Sequence, residues 1–217
     1  MTGGAGFIGS HLTETLLSAG ETVVVIDDFS TGSWGNLSGI RTSSRLRIIE
    51  AQVGKCENLD GLIREAKFVF HLAAAVSGEC EADIDLGLRT NLDTTRALLD
   101  ACRATQQTPR LVFSSSLAVY GGDMPDVIAD NTLPQPQNSY GTQKFICEQL
   151  IADYTRRGYV DGRSVRLPTV MHWPRGGLTG GSFRRLTAST TRKLAEPNTK
   201  AAVPSAAMAS ALPWPKR

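Results

Sequence analysis

Apolar positions alternate between two spacings from the start of the chain to about residue 170. Phe7 to Ala19 carries Ile8, Leu12, Leu16 and Leu17 at helical spacing, with Gly20 where a helix would end. Thr22–Ile26 is a continuous β-branched run, as expected of a parallel strand buried on both faces. Short strands are predicted at Leu46–Ile49, Phe68–Leu72, Arg110–Ser114 and Gly162–Leu167. Helices are predicted at Asn58–Glu65, Leu86–Thr105 and Ser139–Arg157, the last opened by a Ser or Asn cap. Strands alternating with helices imply an α/β fold, a doubly wound parallel sheet covered on both faces. No internal repeat is visible.

After Val170 the pattern stops. Residues 171–217 hold two Gly-Gly pairs, a Ser/Thr/Arg stretch and an Ala/Pro-rich end, a composition that buries little and is expected to be disordered. Charge sharpens the boundary: residues 1–170 carry −5 and residues 171–217 carry +7, which the net +2 conceals. The predicted organisation is therefore a domain over 1–170 and a basic tail over 171–217.

Composition narrows the class. Hydrophobic residues make up 41% and charged residues 20%, ordinary for a soluble globular protein. No apolar run approaches the ~20 residues that span a bilayer, and the start lacks the regions of a signal peptide, so a cytoplasmic protein is expected. Cys56, Cys80, Cys102 and Cys147 show no CxxC spacing and read as reduced thiols. No metal-ligand spacing links them to His11, His71 and His172, so no metal is expected. His11 reads as a surface or packing residue and His71 as packing at its strand end.

Gly3, Gly6 and Gly9 form a GxxGxxG loop running into the first helix. Glycine permits a tight turn, close approach of backbone to a pyrophosphate, and tight helix–strand packing. The helix N-terminus adds unpaired N–H groups and a positive dipole end. A lone glycine motif is often only a turn. Here Asp27 stands at the end of the TVVVI strand, where an acidic side chain binds adenosine ribose hydroxyls and repels a 2′-phosphate. The predicted cofactor is therefore NAD rather than NADP. Asp28 either shares that role or caps the loop.

Tyr140 and Lys144 lie four residues apart, on one face of a predicted helix. Alone, such a pair is usually a solvated face. With Ser114-Ser115-Ser116 at the end of a strand, where doubly wound sheets bind ligands, it becomes a catalytic candidate. Lys144 is expected to lower the tyrosine pKa, so that Tyr140 accepts a proton from a substrate hydroxyl while hydride leaves the carbon. Ser116 is the candidate for orienting the substrate, and Ser114 and Ser115 for capping the strand end.

The glycine loop, Asp27, His71-Leu72-Ala73-Ala74, Asn91, the run from Phe113 to Gly121 and the Tyr140/Lys144 pair together resemble the extended short-chain dehydrogenase/reductase family, the NAD-dependent epimerase/dehydratase group. The resemblance covers residues 2–170. It implies a Rossmann-type domain with Ser116, Tyr140 and Lys144 catalytic, and Lys144 also holding the nicotinamide ribose. It further implies that Gly3, Gly6, Phe7, Ile8, Gly9, Asp27, Gln52, Val53, Ala73, Ala74 and Asn91 serve the cofactor. The stretches Ala75–Leu88 and Asn138–Val170 are similar to the D-erythronate dehydrogenases of this family. That similarity implies oxidation of a small sugar acid at C2 to the 2-oxo acid, with Ser77, Gly78 and Thr169 facing the substrate. A solvated loop is the plainer reading of Ser77–Glu81. The alternatives are a nucleotide-sugar epimerase or dehydratase, and a non-catalytic NAD-binding fragment. A homodimer through the two long helices follows only by analogy.

Three departures from the family stand out. A strand of about five apolar residues should precede Gly3, and only Met1 and Thr2 do, which suggests a misplaced start. An intact mass of the native protein matching residues 1–217 would overturn that reading. Gln52 stands where the family has Asp. The likeness ends at Val170, before the smaller C-terminal substrate domain, which suggests a frame shift or aberrant end. Resequencing that returned an intact frame would rule it out. A true basic tail for nucleic acid or an anionic membrane is the alternative, disfavoured by dispersed Lys and Arg. Neither partner is expected.

Overall fold

The computed structural model describes residues 1–170. Met1–Pro168 form one compact unit; of the second, Thr169–Arg217, only Thr169 and Val170 are described. The expectations for 171–217 lie outside the described residues.

The predicted strands are all present: β1 Val23–Asp27, β2 Leu46–Glu50, β3 Phe68–His71, β4 Arg110–Ser116 and β5 Asp161–Leu167. All pair in parallel, as β1 with β2 and as β3-β4-β5. Thr2 joins the two groups by bridging Ile26 on one side and His71 on the other. Its N–H donates to Phe70 O and its carbonyl accepts from Leu72 N, while Gly3 N donates to Ile26 O. Spatially the order is β2-β1-Thr2-β3-β4-β5. This matches the doubly wound order of dinucleotide-binding domains, with Met1–Thr2 in the central position.

β1 divides its side chains between two cores, as a strand covered on both faces must. Val23 and Val25 pack with Leu17 of α1 (Phe7–Ser18). Ile26 joins the larger cluster with Val69 of β3, Leu111 and Phe113 of β4, Leu98 and Leu99 of the helix Thr94–Ala104, and Ile151 of the helix Ser139–Arg156. All four cysteines are free and buried. No described helix is long and apolar enough to cross a membrane.

The remaining helices are α2 (Leu59–Arg64), α3 (Ser77–Ala82), α4 (Ile84–Gly87), α5 (Thr94–Ala104) and α6 (Ser139–Arg156). Two expectations need correction. The helix expected over Leu86–Thr105 is divided: α4 runs into a π-helical segment, Leu88–Asp93, and then α5. Within this segment the Asn91 carbonyl accepts from Thr95 Oγ1 at 2.6 Å and from Cys147 Sγ at 3.4 Å. The stretch after Ala75, read as a loop, forms α3, whose start is fixed by Val76 N donating to Glu79 Oε2.

Candidate active site

Each glycine of the loop is required for a different reason. Gly3 has φ +70°, and a Cβ there would lie 2.5 Å from Ala73 N. A Cβ on Gly9 would sit 2.1 Å from Gly3 O, so α1 abuts the loop only because position 9 is bare. Gly6 is different. Its φ of −74° suits any residue, and its Cβ would meet only Gly3 O, at 3.3 Å. Position 6 therefore presents open backbone at the first turn of α1, whose leading N–H groups lack helical partners. Phe7 is exposed there and Ile8 half-buried. This bare turn leaves room in which a pyrophosphate could lie.

Asp27 ends β1 beside the loop and is only 7% exposed. Its Oδ2 accepts from Ala5 N at 2.8 Å and its Oδ1 from Phe29 N at 2.9 Å. Asp28 accepts from Ser30 N and Ser30 Oγ, so of its two suggested roles it caps the loop. Ala73 and Ala74 are half-buried where β3 leaves the sheet, with Ala73 against Gly3. Gln52 is exposed beyond β2, whereas Val53 is buried in the main core, so its side chain is held by packing.

The second group sits at the carboxyl end of β4. Asn138 caps α6 by accepting from Gly141 N at 2.7 Å. A Cβ on Gly141 would fall 2.0 Å from Ala118 O, so glycine lets the first turn of α6 rest on the turn after Ser116. That close approach sets the Tyr140 phenol beside the Ser116 hydroxyl. Ser116 Oγ also accepts from Ala118 N at 3.1 Å. Gly141 was missed as a site residue, and the Tyr-Gly step at a helix start was its signal.

Lys144 is 2% exposed. Its Nζ donates to Ser114 O at 2.8 Å and lies 4.6 Å and 5.7 Å from the ring centroids of Phe113 and Tyr140. Burial lowers its pKa to about 8. The expected lowering of the Tyr140 pKa is corrected here. Burial raises it, and the neighbouring Ser116 hydroxyl only opposes that rise, because the ammonium lies over the ring rather than at the phenol hydroxyl. The strand-cap reading of Ser114 and Ser115 is also revised. Ser114 Oγ donates to His71 O, and Ser115 Oγ donates to the buried carboxylate of Glu148.

Two polar residues brace the space between the groups. His71 is buried, with Nδ1 2.7 Å from Thr2 Oγ1 and Nε2 2.9 Å from Thr95 Oγ1. Thr95 spends its proton on Asn91 O, so Nε2 is the protonated nitrogen and Thr2 donates to Nδ1. Burial holds this imidazole neutral, lowering its pKa to about 3. Asn91 is 3% exposed and turned inward: Oδ1 accepts from Ala75 N, and Nδ2 donates to Gln143 Oε1 at 2.8 Å. It positions the loop after β3 rather than offering its amide to a ligand. Gln143 Nε2 is buried without a hydrogen-bond partner. Ser77 and Gly78 are exposed at the start of α3. Thr169 is exposed and belongs to the second unit, so the first unit's geometry does not place it.

Comparison with known proteins fits this arrangement. The chain is 46% identical over 176 residues to a D-erythronate dehydrogenase of Cupriavidus necator, covering 78% of this chain and 54% of that protein. It resembles the crystal structure of a nucleoside-diphosphate-sugar epimerase from Agrobacterium tumefaciens with a TM-score of 0.68 and 38% identity, over 83% of this chain and 54% of that one. The UDP-glucose 4-epimerase of Brucella ovis in complex with NAD gives a TM-score of 0.66 and 34% identity, over 77% of this chain and 50% of that one. The chain thus spans about half the length of these relatives. The model of the NAD dependent epimerase/dehydratase family matches residues 1–173, and the chain belongs to that family.

Proposed function

We propose that this chain carries the cofactor-binding and proton-transfer half of an NAD-dependent dehydrogenase. Its proposed substrate is a small sugar acid of the D-erythronate type, oxidised at C2 to the 2-oxo acid. The observation that carries this reading is the Ser116–Tyr140–Lys144 cluster at the end of β4, on the same sheet edge as the bare glycine loop. The 46% identity to a D-erythronate dehydrogenase supports the substrate class.

The open turn at Gly6 and the leading N–H groups of α1 would hold the pyrophosphate of NAD, and Asp27 the adenosine ribose hydroxyls. Ala73 and Ala74 would line the cofactor, and Lys144 would hold the nicotinamide ribose. When bound, NAD supplies the hydride acceptor. Tyr140 Oη would take the proton of the substrate C2 hydroxyl, and Ser116 Oγ would orient that hydroxyl. Ser77 and Gly78, at the start of α3, would face the substrate. In this reading residues 1–170 are the cofactor domain and 171–217 a separate basic tail.

A second reading, a nucleotide-sugar epimerase, is supported by the likeness to the Agrobacterium and Brucella enzymes. The same hydroxyls would move the same proton. Incubating the protein with NAD⁺ and D-erythronate should yield NADH, and Tyr140→Phe should abolish it. Conversion of UDP-glucose without net NADH would favour the epimerase. NAD binding without turnover of any hydroxy acid or nucleotide sugar would defeat both.

A further inference from the structure

Glu148 lies four residues beyond Lys144 and eight beyond Tyr140, so the three form one stripe along α6. Each faces a different serine of β4. Tyr140 lies beside the Ser116 hydroxyl, Lys144 donates to Ser114 O, and Glu148 accepts from Ser115 Oγ. Glu148 is 6% exposed and is held by one edge of the Arg166 guanidinium, from Nε at 2.9 Å and from Nη2 at 2.6 Å. Arg166 stands on β5 directly beside Ser115 in the strand register. Its Nη1 donates to Tyr120 OH, and its guanidinium lies 4.9 Å from the centre of the Tyr120 ring. Ser116 is therefore held between two anchors, Ser115 before it and Tyr120 after it, and both reach the same ion pair.

We propose that Glu148 and Arg166 are positioning residues that hold Ser116 in hydrogen-bond reach of Tyr140, a role that rests on the catalytic reading above. Stability alone is a poor reason for such a pair. Well-packed apolar residues of similar volume generally serve a buried site as well as or better than an Arg–Glu pair. What an apolar pair lacks is direction. The guanidinium fork fixes two oxygens of Glu148 and one of Tyr120 in a single plane, and so fixes the strand end that carries Ser116. Removing either partner alone leaves a buried charge unpaired, so single variants mix misplacement with unfolding.

The test therefore uses the full chain with two variants, Glu148→Leu/Arg166→Met together and Arg166→Lys, each first checked for a wild-type circular dichroism spectrum. Tyr140 is followed by phenolate absorbance against pH, with Tyr140→Phe as the blank. In the double variant Tyr140 should titrate at higher pH than in the wild type, because the Ser116 hydroxyl that favours its phenolate is displaced. NAD affinity should stay within about twofold and KM should change little. kcat should fall about 10²-fold, the cost expected of a displacement near 1 Å. Arg166→Lys keeps the charge without the fork and should fall between. A folded double variant with wild-type Tyr140 titration overturns the proposal. If the double variant does not fold, Arg166→Lys with wild-type Tyr140 titration does the same. Absence of turnover in the wild-type chain would count against the catalytic reading alone, since the Tyr140 titration needs no substrate.

Discussion

The glycine loop and the β4–α6 stripe lie on the same sheet edge but are built on opposite principles. The loop works by leaving side chains out. Gly3 and Gly9 allow backbone to touch backbone, and Gly6 leaves room at the helix start. The stripe works by burying polar side chains and giving nearly every one a partner: Lys144 on a carbonyl, Glu148 on Arg166 and Ser115, His71 between two threonines. A phosphate cradle needs exposed N–H groups and no obstruction, whereas proton transfer needs hydroxyls fixed to within a fraction of an ångström.

The widest separation of the two regions should come from Tyr140→Phe. Turnover should fall by about 10² to 10⁴-fold while NAD affinity, measured by calorimetry, stays within about twofold; a parallel loss of NAD binding would erase the distinction. Gly9→Ala should do the reverse, abolishing NAD binding and lowering unfolding stability by about 3 kcal/mol, since its Cβ would press on Gly3 O. Chemical denaturation reads that value, and wild-type stability would show that the loop has slack.

A third prediction concerns pH. With its folded pKa near 8 against an ordinary 10.5, Lys144 has lost its proton in the folded protein across a window where the unfolded chain still holds one. Stability therefore rises with pH from about 8 to 10.5, by roughly 3 kcal/mol in all, and the gain is absent below pH 8. Lys144→Met should remove this rise, and melting temperatures of the two proteins compared across that window would reveal a lysine that is not buried as described. The smallest stability effect is expected from Gly6→Ala, within about 0.5 kcal/mol of wild type, because its φ is ordinary. Its added methyl group should nevertheless weaken NAD binding by about tenfold, the steric cost of filling a contact surface. Unchanged affinity would mean that the pyrophosphate lies elsewhere.

What was legible in the sequence follows the same division. The loop was readable because it depends on residues whose meaning is local: glycines at fixed spacing and an aspartate ending a β-branched run. Tyr140, Lys144 and Ser116 were readable as a motif, but the electrostatics were not. Proximity of Lys144 in sequence suggested a lowered tyrosine pKa, and only the fold shows that the ammonium turns down to Ser114 O while burial dominates. Glu148 and Arg166 gave no signal, since their pairing depends on the strand register that sets Arg166 beside Ser115. The π segment left no trace, since Leu88, Leu92, Leu98 and Leu99 read as the apolar face of one continuous helix. The helix α3 left none, being short and mostly polar.

That π segment has a further consequence as a vernier. An α-helix advances about 100° per residue, so a single additional residue resets the angular position of everything before it relative to everything after. Deleting one residue between Leu88 and Asp93 would restore an ordinary ladder without shortening α5. It would also close the wide turn at Asn91, shifting its amide from the line it now holds to Gln143 Oε1. The aim of the inward-facing amide at Asn91 is thus stored in a count of residues rather than in the strength of any one bond.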